Sequence, residues 1–405
     1  MFRDNSMIMN ENNFFTKLIH SKSFLDFISL VASFSITLIF YLKTDIMNYT
    51  HPHFSNPWDH HKYIFMAETN PFDFHIAPFC WRVLVPFLAS IMPFELITNF
   101  LVITLTSISL TGYVMYKIGE IVFNERLWSF VLMLSYFSIG FTTKFLIYDF
   151  WLVDPLAYLL ITVGIYSILK RNEGMFVVVT TLGALTKEIV LFILPLYYTL
   201  NTKKLFDINL LINTIKYSLT SILVLIIIRL LIPAWNDDPT YLNSLPLHIK
   251  LVHLNSSDYD YMKAFCEIGI FRIKNFSLEF LYSITSYVFG VFMFVMVINI
   301  RKLAVKLLQY LPFLILIYSQ ILFAVNTDRL VAAAFPAILV LSISTLKIWF
   351  DKIQIGKFVI IIFVSTLLIM NLRSGIFYGN WEIYRQIALL VLLWFIVKIY
   401  NKIIK

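Results

Sequence analysis

Apolar residues in this chain run in long blocks broken by short polar segments; they neither alternate nor recur once per helical turn. Blocks lie at about 24–42, 96–116, 127–143, 152–169, 210–233, 276–300, 308–326, 330–349, 357–372 and 386–400. Each is near the length at which a helix crosses about 30 Å of hydrocarbon, the shorter ones with help from neighbours. Residues 1–23 are polar, and 24–42 lacks the small-residue cleavage site of a secretory signal, so the first block is itself a predicted span. The run 83–94, VLVPFLASIMPF, is too short to cross, and Pro86 and Pro93 bound it. This predicts an interfacial helix.

Residues 175–200 break the pattern. Read as one span, they bury Lys187 and Glu188 at mid-bilayer, where each charge costs roughly 2.5–3.5 kcal/mol. Read as half-spans 175–186 and 189–200, they place the charged pair at a hairpin tip. The hairpin puts Lys117, Arg126, Lys170, Arg171, Lys203, Lys204 and the later basic clusters 301–306 and 398–405 on one side with both termini. Without it, those later clusters invert. The excess of Lys and Arg in cytoplasmic loops therefore favours the hairpin, cytoplasmic termini and an outer side built from 43–95, 234–275 and short turns.

Composition agrees with this picture. The chain is 59% hydrophobic and 14% charged, against about a quarter charged in soluble domains. The net charge of +8 is scattered through short loops, which argues against nucleic acid as a partner. The prediction is an all-α polytopic membrane protein, one embedded unit over 1–405, with a 1–23 tail and two long outer loops. Cys80 and Cys266 are too few for a disulfide framework or thiolate metal site. Both fall on the outer side, where they either bond or stay as two buried thiols.

The candidate chemistry gathers on that outer side. Residues 58–88 hold WDHHKY, several aromatics and Arg82, more polarity than a connector needs. Asp59, between Trp58 and Tyr63, fits a partly desolvated general base and equally an N-cap for a helix starting at His60. Glu68 and Asp73 are the reserve acids. His51, His53, His60, His61 and His75 fit no structural zinc spacing, so polar interfacial packing competes with metal binding. Arg82 suits a lipid phosphate, an acid of its own loop, or snorkelling. Asp149 and Asp154 flank Trp151. Asp154 before Pro155 reads as a helix start, whereas Asp149 has no such local explanation and fits a cavity. Lys187, beside Glu188, and Arg329, after Asp328, are cations at span boundaries, suited to a phosphate.

Asp59 in the first outer loop, APFCWRVLVP, GALTKE followed by LP, and DRLVAAAFP together resemble the GT-C superfamily of multi-spanning glycosyltransferases, over about residues 24–350. The likeness is to bacterial members acting on cell-envelope glycans. It implies a bundle of about 10–12 spans with interfacial helices on the long first outer loop. It further implies a polyprenyl-phosphate-linked sugar as donor, and a glycan, lipid or protein acceptor on the exoplasmic side. Transfer would invert the anomeric carbon. Asp59 would be the base, and Lys187 and Arg329 would hold the phosphate. Arg82, Asp149, Glu188, Tyr63 and His60 would complete the substrate site. Where several such families carry paired acids, this chain has Asp59-His60-His61. No resident cofactor is therefore expected, and a divalent ion bridging Asp59 and phosphate is the alternative not favoured. Two other readings compete. A lipid-glycan polymerase or ligase would draw on Arg272 and Lys274. A transporter or flippase would show broken helices in paired positions.

Overall fold

The computed structural model describes residues 22–47, 59–204, 206–254, 267, 269–271, 273–298, 300–322, 327–351, 356–376 and 380–403. His51, His53, Cys266 and Arg272 lie outside them, and with them the Cys80–Cys266 bond. The described residues form helices and turns with no strand. In chain order the helices are α1 (Lys22–Lys43), α2 (His60–Glu68), α3 (Leu84–Ile91), α4 (Leu96–Phe123), α5 (Arg126–Phe137), α6 (Lys144–Tyr148), α7 (Asp154–Lys170), α8 (Glu173–Thr186), α9 (Leu194–Asn201) and α10 (Ile208–Leu231). They continue with α11 (Pro239–Ser244), α12 (Leu247–Leu254), α13 (Leu278–Phe289), α14 (Val291–Ile298), α15 (Ala304–Ser319), α16 (Thr327–Ala332), α17 (Phe335–Phe350), α18 (Gly356–Arg373) and α19 (Asn380–Ile403).

Among the described residues, five helical segments are long and apolar enough to cross a membrane: 23–43, 96–123, 208–231, 304–322 and 356–373. They become seven if two sharply bent pairs each count as one span. This agrees with a multi-pass membrane protein. α4 is the central post, packing against α1, α5 and α7. Small residues set the closest approaches. A Cβ at Gly119 would lie 2.5 Å from Ser129 Cα, and Ser33 Oγ on α1 donates to Ser109 O at 2.5 Å. Buried hydroxyls of Thr37, Thr111, Ser135 and Thr162 donate to carbonyls one turn back, which satisfies them where water is absent.

Two predicted spans are bent. The block 127–143 gives α5, whose 12 residues reach only about 18 Å. The chain then turns by 86° into 140–148. Thr142 and Thr143 donate to Ile139 O at 3.1 and 2.8 Å, offering the backbone an alternative to continued helix. The predicted outer turn 144–151 instead begins as buried α6, where Lys144 Nζ donates to Leu372 O (3.3 Å) and Ser374 O at the end of α18. The block 276–300 bends by 115° between α13 and α14. Gly290 sits there at φ +53°, and the side-chain oxygen of Gln386 accepts from Val291 N at 3.0 Å. A backbone group freed by the bend is thus paired inside the protein, as an apolar setting requires. The bends meet, with Phe141 and Tyr287 ring centroids 5.4 Å apart.

The hairpin at 175–200 forms. Arg171 in the left-handed conformation and Asn172, which accepts from Met175 N at 3.0 Å, turn α7 into antiparallel α8. Lys187 is extended (φ −167°, ψ 134°) and the chain reverses into a 3-10 segment, Glu188–Ile193, and α9. A Cβ at Gly183 would lie 2.7 Å from Val190 Cβ. Phe176 packs at a tilt against Tyr197 with centroids 5.2 Å apart, and Tyr197 OH donates to Glu173 Oε1 at 3.3 Å. These pairs fold about one centre, the Lys187–Glu188 tip.

α3 buries Val85, Pro86 and Ala89 against its neighbours and leaves Phe87 and Ile91 exposed, with Phe94 just beyond it. It is a short helix with an apolar outer face, as an interfacial segment has. The two long loops clamp together. Trp235 N donates to His75 O (2.8 Å), Asn236 exchanges two hydrogen bonds with Ala77, and Trp81 Nε1 donates to Ile232 O (2.9 Å).

Candidate functional site

The cluster at the hairpin-tip end of the bundle draws on the starts of α2 and α7, the tip at 187–188, the turn before Arg82, the residue after α6, and α16. Asp59 precedes α2 in the N-cap position but makes no side-chain cap bond. Its carboxylate instead pairs with Arg329 Nη2, 270 residues on, delivered by α16. The charge pairing, then, has displaced the capping role. Tyr158 OH donates to Arg329 O at 2.5 Å and so fixes the backbone behind the guanidinium.

Asp154 is the first residue of α7, so the helix starts where Asp-Pro predicts, but the N-cap position belongs to Val153 rather than Asp154. Asp154 Oδ1 accepts from Lys187 Nζ at 2.7 Å and lies 3.7 Å from Arg329 Nε. Lys187 and Asp154 are almost fully buried, with side chains 3% and 2% exposed. Asp154 thus ties the hairpin tip to the Asp59–Arg329 pair.

Arg82 follows the turn at 79–81 and reaches two partners. Its Nε lies 3.3 Å from Glu188 Oε2, and its Nη1 donates to Tyr63 OH at 3.1 Å. His60 Nδ1 stands 3.7 Å from Asp149 Oδ2. Lys62 is buried, with Nζ 3.9 Å from the centroid of Phe79. All eight residues singled out from the sequence, Asp59, His60, Tyr63, Arg82, Asp149, Lys187, Glu188 and Arg329, therefore lie in one neighbourhood. The sequence reading missed Lys62, in the same WDHHKY stretch, and gave Asp154 only a local role at a helix start. Glu68 and Asp73, the reserve acids, are exposed.

Opposite charges are interleaved within the cluster. Four carboxylates (Asp59, Asp149, Asp154, Glu188) lie among five cations (Lys62, Arg82, Lys187, Arg229, Arg329). Burial raises the Asp59 carboxyl, but Arg329, then Lys62 and Arg82, outweigh it and hold the group well below the usual carboxylate range. Burial raises the Asp149 carboxyl despite the facing His60. Burial likewise pushes the Tyr63 phenol up. Two acids of one site are thereby shifted in opposite directions, an arrangement that suits separate acid–base roles.

His75, His61 and His248 make ring contacts between the loops. His75 stacks on Trp235 at 3.7 Å and meets Tyr241 edge-on, and His61 lies 6.4 Å from His248. Among the described residues, no three of His, Cys, Asp or Glu converge as metal ligands.

No family model, curated protein or solved structure matches this chain.

The geometry therefore stands alone. It is a largely buried set of paired charges whose two central cations, Lys187 and Arg329, share one carboxylate, Asp154. An anion that ligates Arg329 would take the place of Asp59 and release that carboxylate for other work.

Proposed function

We propose that this chain is an integral-membrane glycosyltransferase that moves a sugar from a polyprenyl-phosphate donor to a cell-envelope acceptor on the exoplasmic side. The observation that supports it is the Asp59–Arg329–Asp154–Lys187 series at the hairpin tip. An acid stands beside cations suited to a phosphate, in a protein with several apolar helices long enough to span a membrane.

In this reading the donor phosphate draws on Arg329 and Lys187. Asp59, relieved of part of its pairing, becomes more basic. It takes the proton of the acceptor hydroxyl as that oxygen attacks the anomeric carbon from the face opposite the phosphate. The bond between that carbon and the phosphate oxygen breaks, and the polyprenyl phosphate leaves with its charge countered by the cations. Arg82 and Tyr63 border the sugar, and Asp149 with His60 is a second proton-accepting pair.

The test is transfer of label from a panel of polyprenyl-phosphate sugars by the purified protein in nanodiscs. Turnover with one of them is expected; none with any donor or acceptor fraction would overturn the reading. A translocator is the second reading, favoured by the two bent helix pairs meeting at Phe141 and Tyr287. It predicts movement of lipid-linked sugar between leaflets without any bond broken, and tolerance of Asp59→Asn.

A further inference from the structure

One arm of the charge network reaches an apolar outer surface, and the transfer step does not use it. α10 is a 24-residue apolar helix with little of its surface covered. Its last turns expose Ile226, Ile227, Leu230 and Leu231, the last two by more than 70%. Among them stands Arg229, with its side chain 43% exposed. Its guanidinium lies 4.6 Å from the Trp81 ring centroid and 3.7 Å from Glu188 Oε1. The other oxygen of Glu188 meets Arg82, which donates to Tyr63 OH. Glu188 adjoins Lys187 at the hairpin tip.

We infer that Arg229 is the receiving residue of a lateral entrance, where a lipid phosphate leaves the leaflet between α10 and the 79–91 segment and passes to Arg82 and Lys187. The inference rests on the lipid-phosphate donor of the proposed function. An arginine near the end of an apolar helix can simply snorkel to bulk headgroups. This one differs in two respects. Trp81 and Glu188 hold its guanidinium in place against the protein. Its carboxylate partner is also the partner of a buried cation, so a phosphate displacing Glu188 from Arg229 is presented directly to Arg82. The planar donor fork of arginine suits a phosphodiester. The apolar flank of α10 matches the isoprenoid tail, and the cation matches the head.

The experiment uses the full-length protein in phosphatidylcholine nanodiscs. The probe is a polyprenyl phosphate with a photoactivatable diazirine in its first isoprene unit, and adducts are mapped by mass spectrometry. Adducts are expected on 223–231 and 79–91, displaced by unlabelled polyprenyl phosphate and not by inorganic phosphate. Arg229→Gln should lower them about tenfold, the loss of one charge-assisted contact. Lys216→Gln, an exposed cation elsewhere on α10, should leave them unchanged. Equal labelling in Arg229→Gln, or adducts spread evenly over exposed helices such as α1, would overturn the entrance. Displacement by inorganic phosphate would make Arg229 a free-anion site and also overturn it. Labelling at 59–63 and 187–188 that ignores Arg229 would remove the entrance and leave the donor reading standing. If no labelling anywhere is displaced by polyprenyl phosphate, both fall.

Discussion

The ion pair between Lys187 and Asp154 is the most exacting test of the architecture. Both side chains are at most 3% exposed, and Nζ and Oδ1 are 2.7 Å apart. Lys187→Met removes the ammonium and strands the carboxylate. Stranding one member of a buried pair costs about 3–5 kcal/mol. Arg329 Nε, 3.7 Å from the same oxygen, offsets part of this, but it is also committed to Asp59. A loss near the lower end, about 3 kcal/mol, is therefore expected. Asp154→Leu should be similarly harmful, because it leaves an ammonium at a closed hairpin tip. The double variant should recover most of the loss, since apolar replacement of a whole buried pair is often neutral. Reversible unfolding in mixed micelles, read by tryptophan fluorescence, gives the four free energies of the cycle. Single-variant losses that add in the double variant to within about 0.5 kcal/mol would refute the pairing and the burial argument together.

Three further outcomes follow from the same geometry. Asp59 stays ionised to lower pH in the fold than in the unfolded chain, so its pairing stabilises above its ordinary value of 3.8 and is lost only as pH falls further into acid. The pH profile of kcat/KM, which reports the free enzyme, should accordingly show no Asp59-dependent acid limb between about pH 5 and 8. Gly290→Ala should destabilise by about 1–3 kcal/mol in thermal unfolding, because φ is +53° and the new Cβ meets the Gln386 side chain that accepts from Val291 N. Single cysteines at 201, 203 and 204 should resist impermeant thiol reagents from outside until the membrane is opened, as the distribution of basic residues requires.

What the sequence disclosed follows from how local each signal is. α1, α4 and α10 are uninterrupted apolar runs, so length alone finds them. The hairpin was legible because Lys187 and Glu188 are intolerable at mid-bilayer and because the later basic clusters fix its parity. The bends at 138–143 and Gly290 were not, since apolar residues surround both and the partners that relieve them, Asn371 and Gln386, come from distant helices. At the site, Asp59 and Arg329 stood out as charges beside spans, yet their pairing across 270 residues is a property of the fold. Asp154 illustrates the converse. Asp before Pro at a helix start has a sufficient local explanation, and only the returning chain at Lys187 reveals a different use. Lys62 was passed over because the acid and histidines beside it drew the chemical reading of WDHHKY.

Single-turnover transfer by Asp59→Asn tests the central claim most directly. Purified wild-type and variant protein in nanodiscs would be loaded with a labelled polyprenyl-phosphate sugar, donor binding measured, and transfer followed after acceptor is added. The account predicts that the variant binds donor while transfer falls about a hundred- to ten-thousand-fold, the usual loss on removing a general base. Near-normal transfer by Asp59→Asn would contradict it and move the base to Asp149, the acid that burial raises.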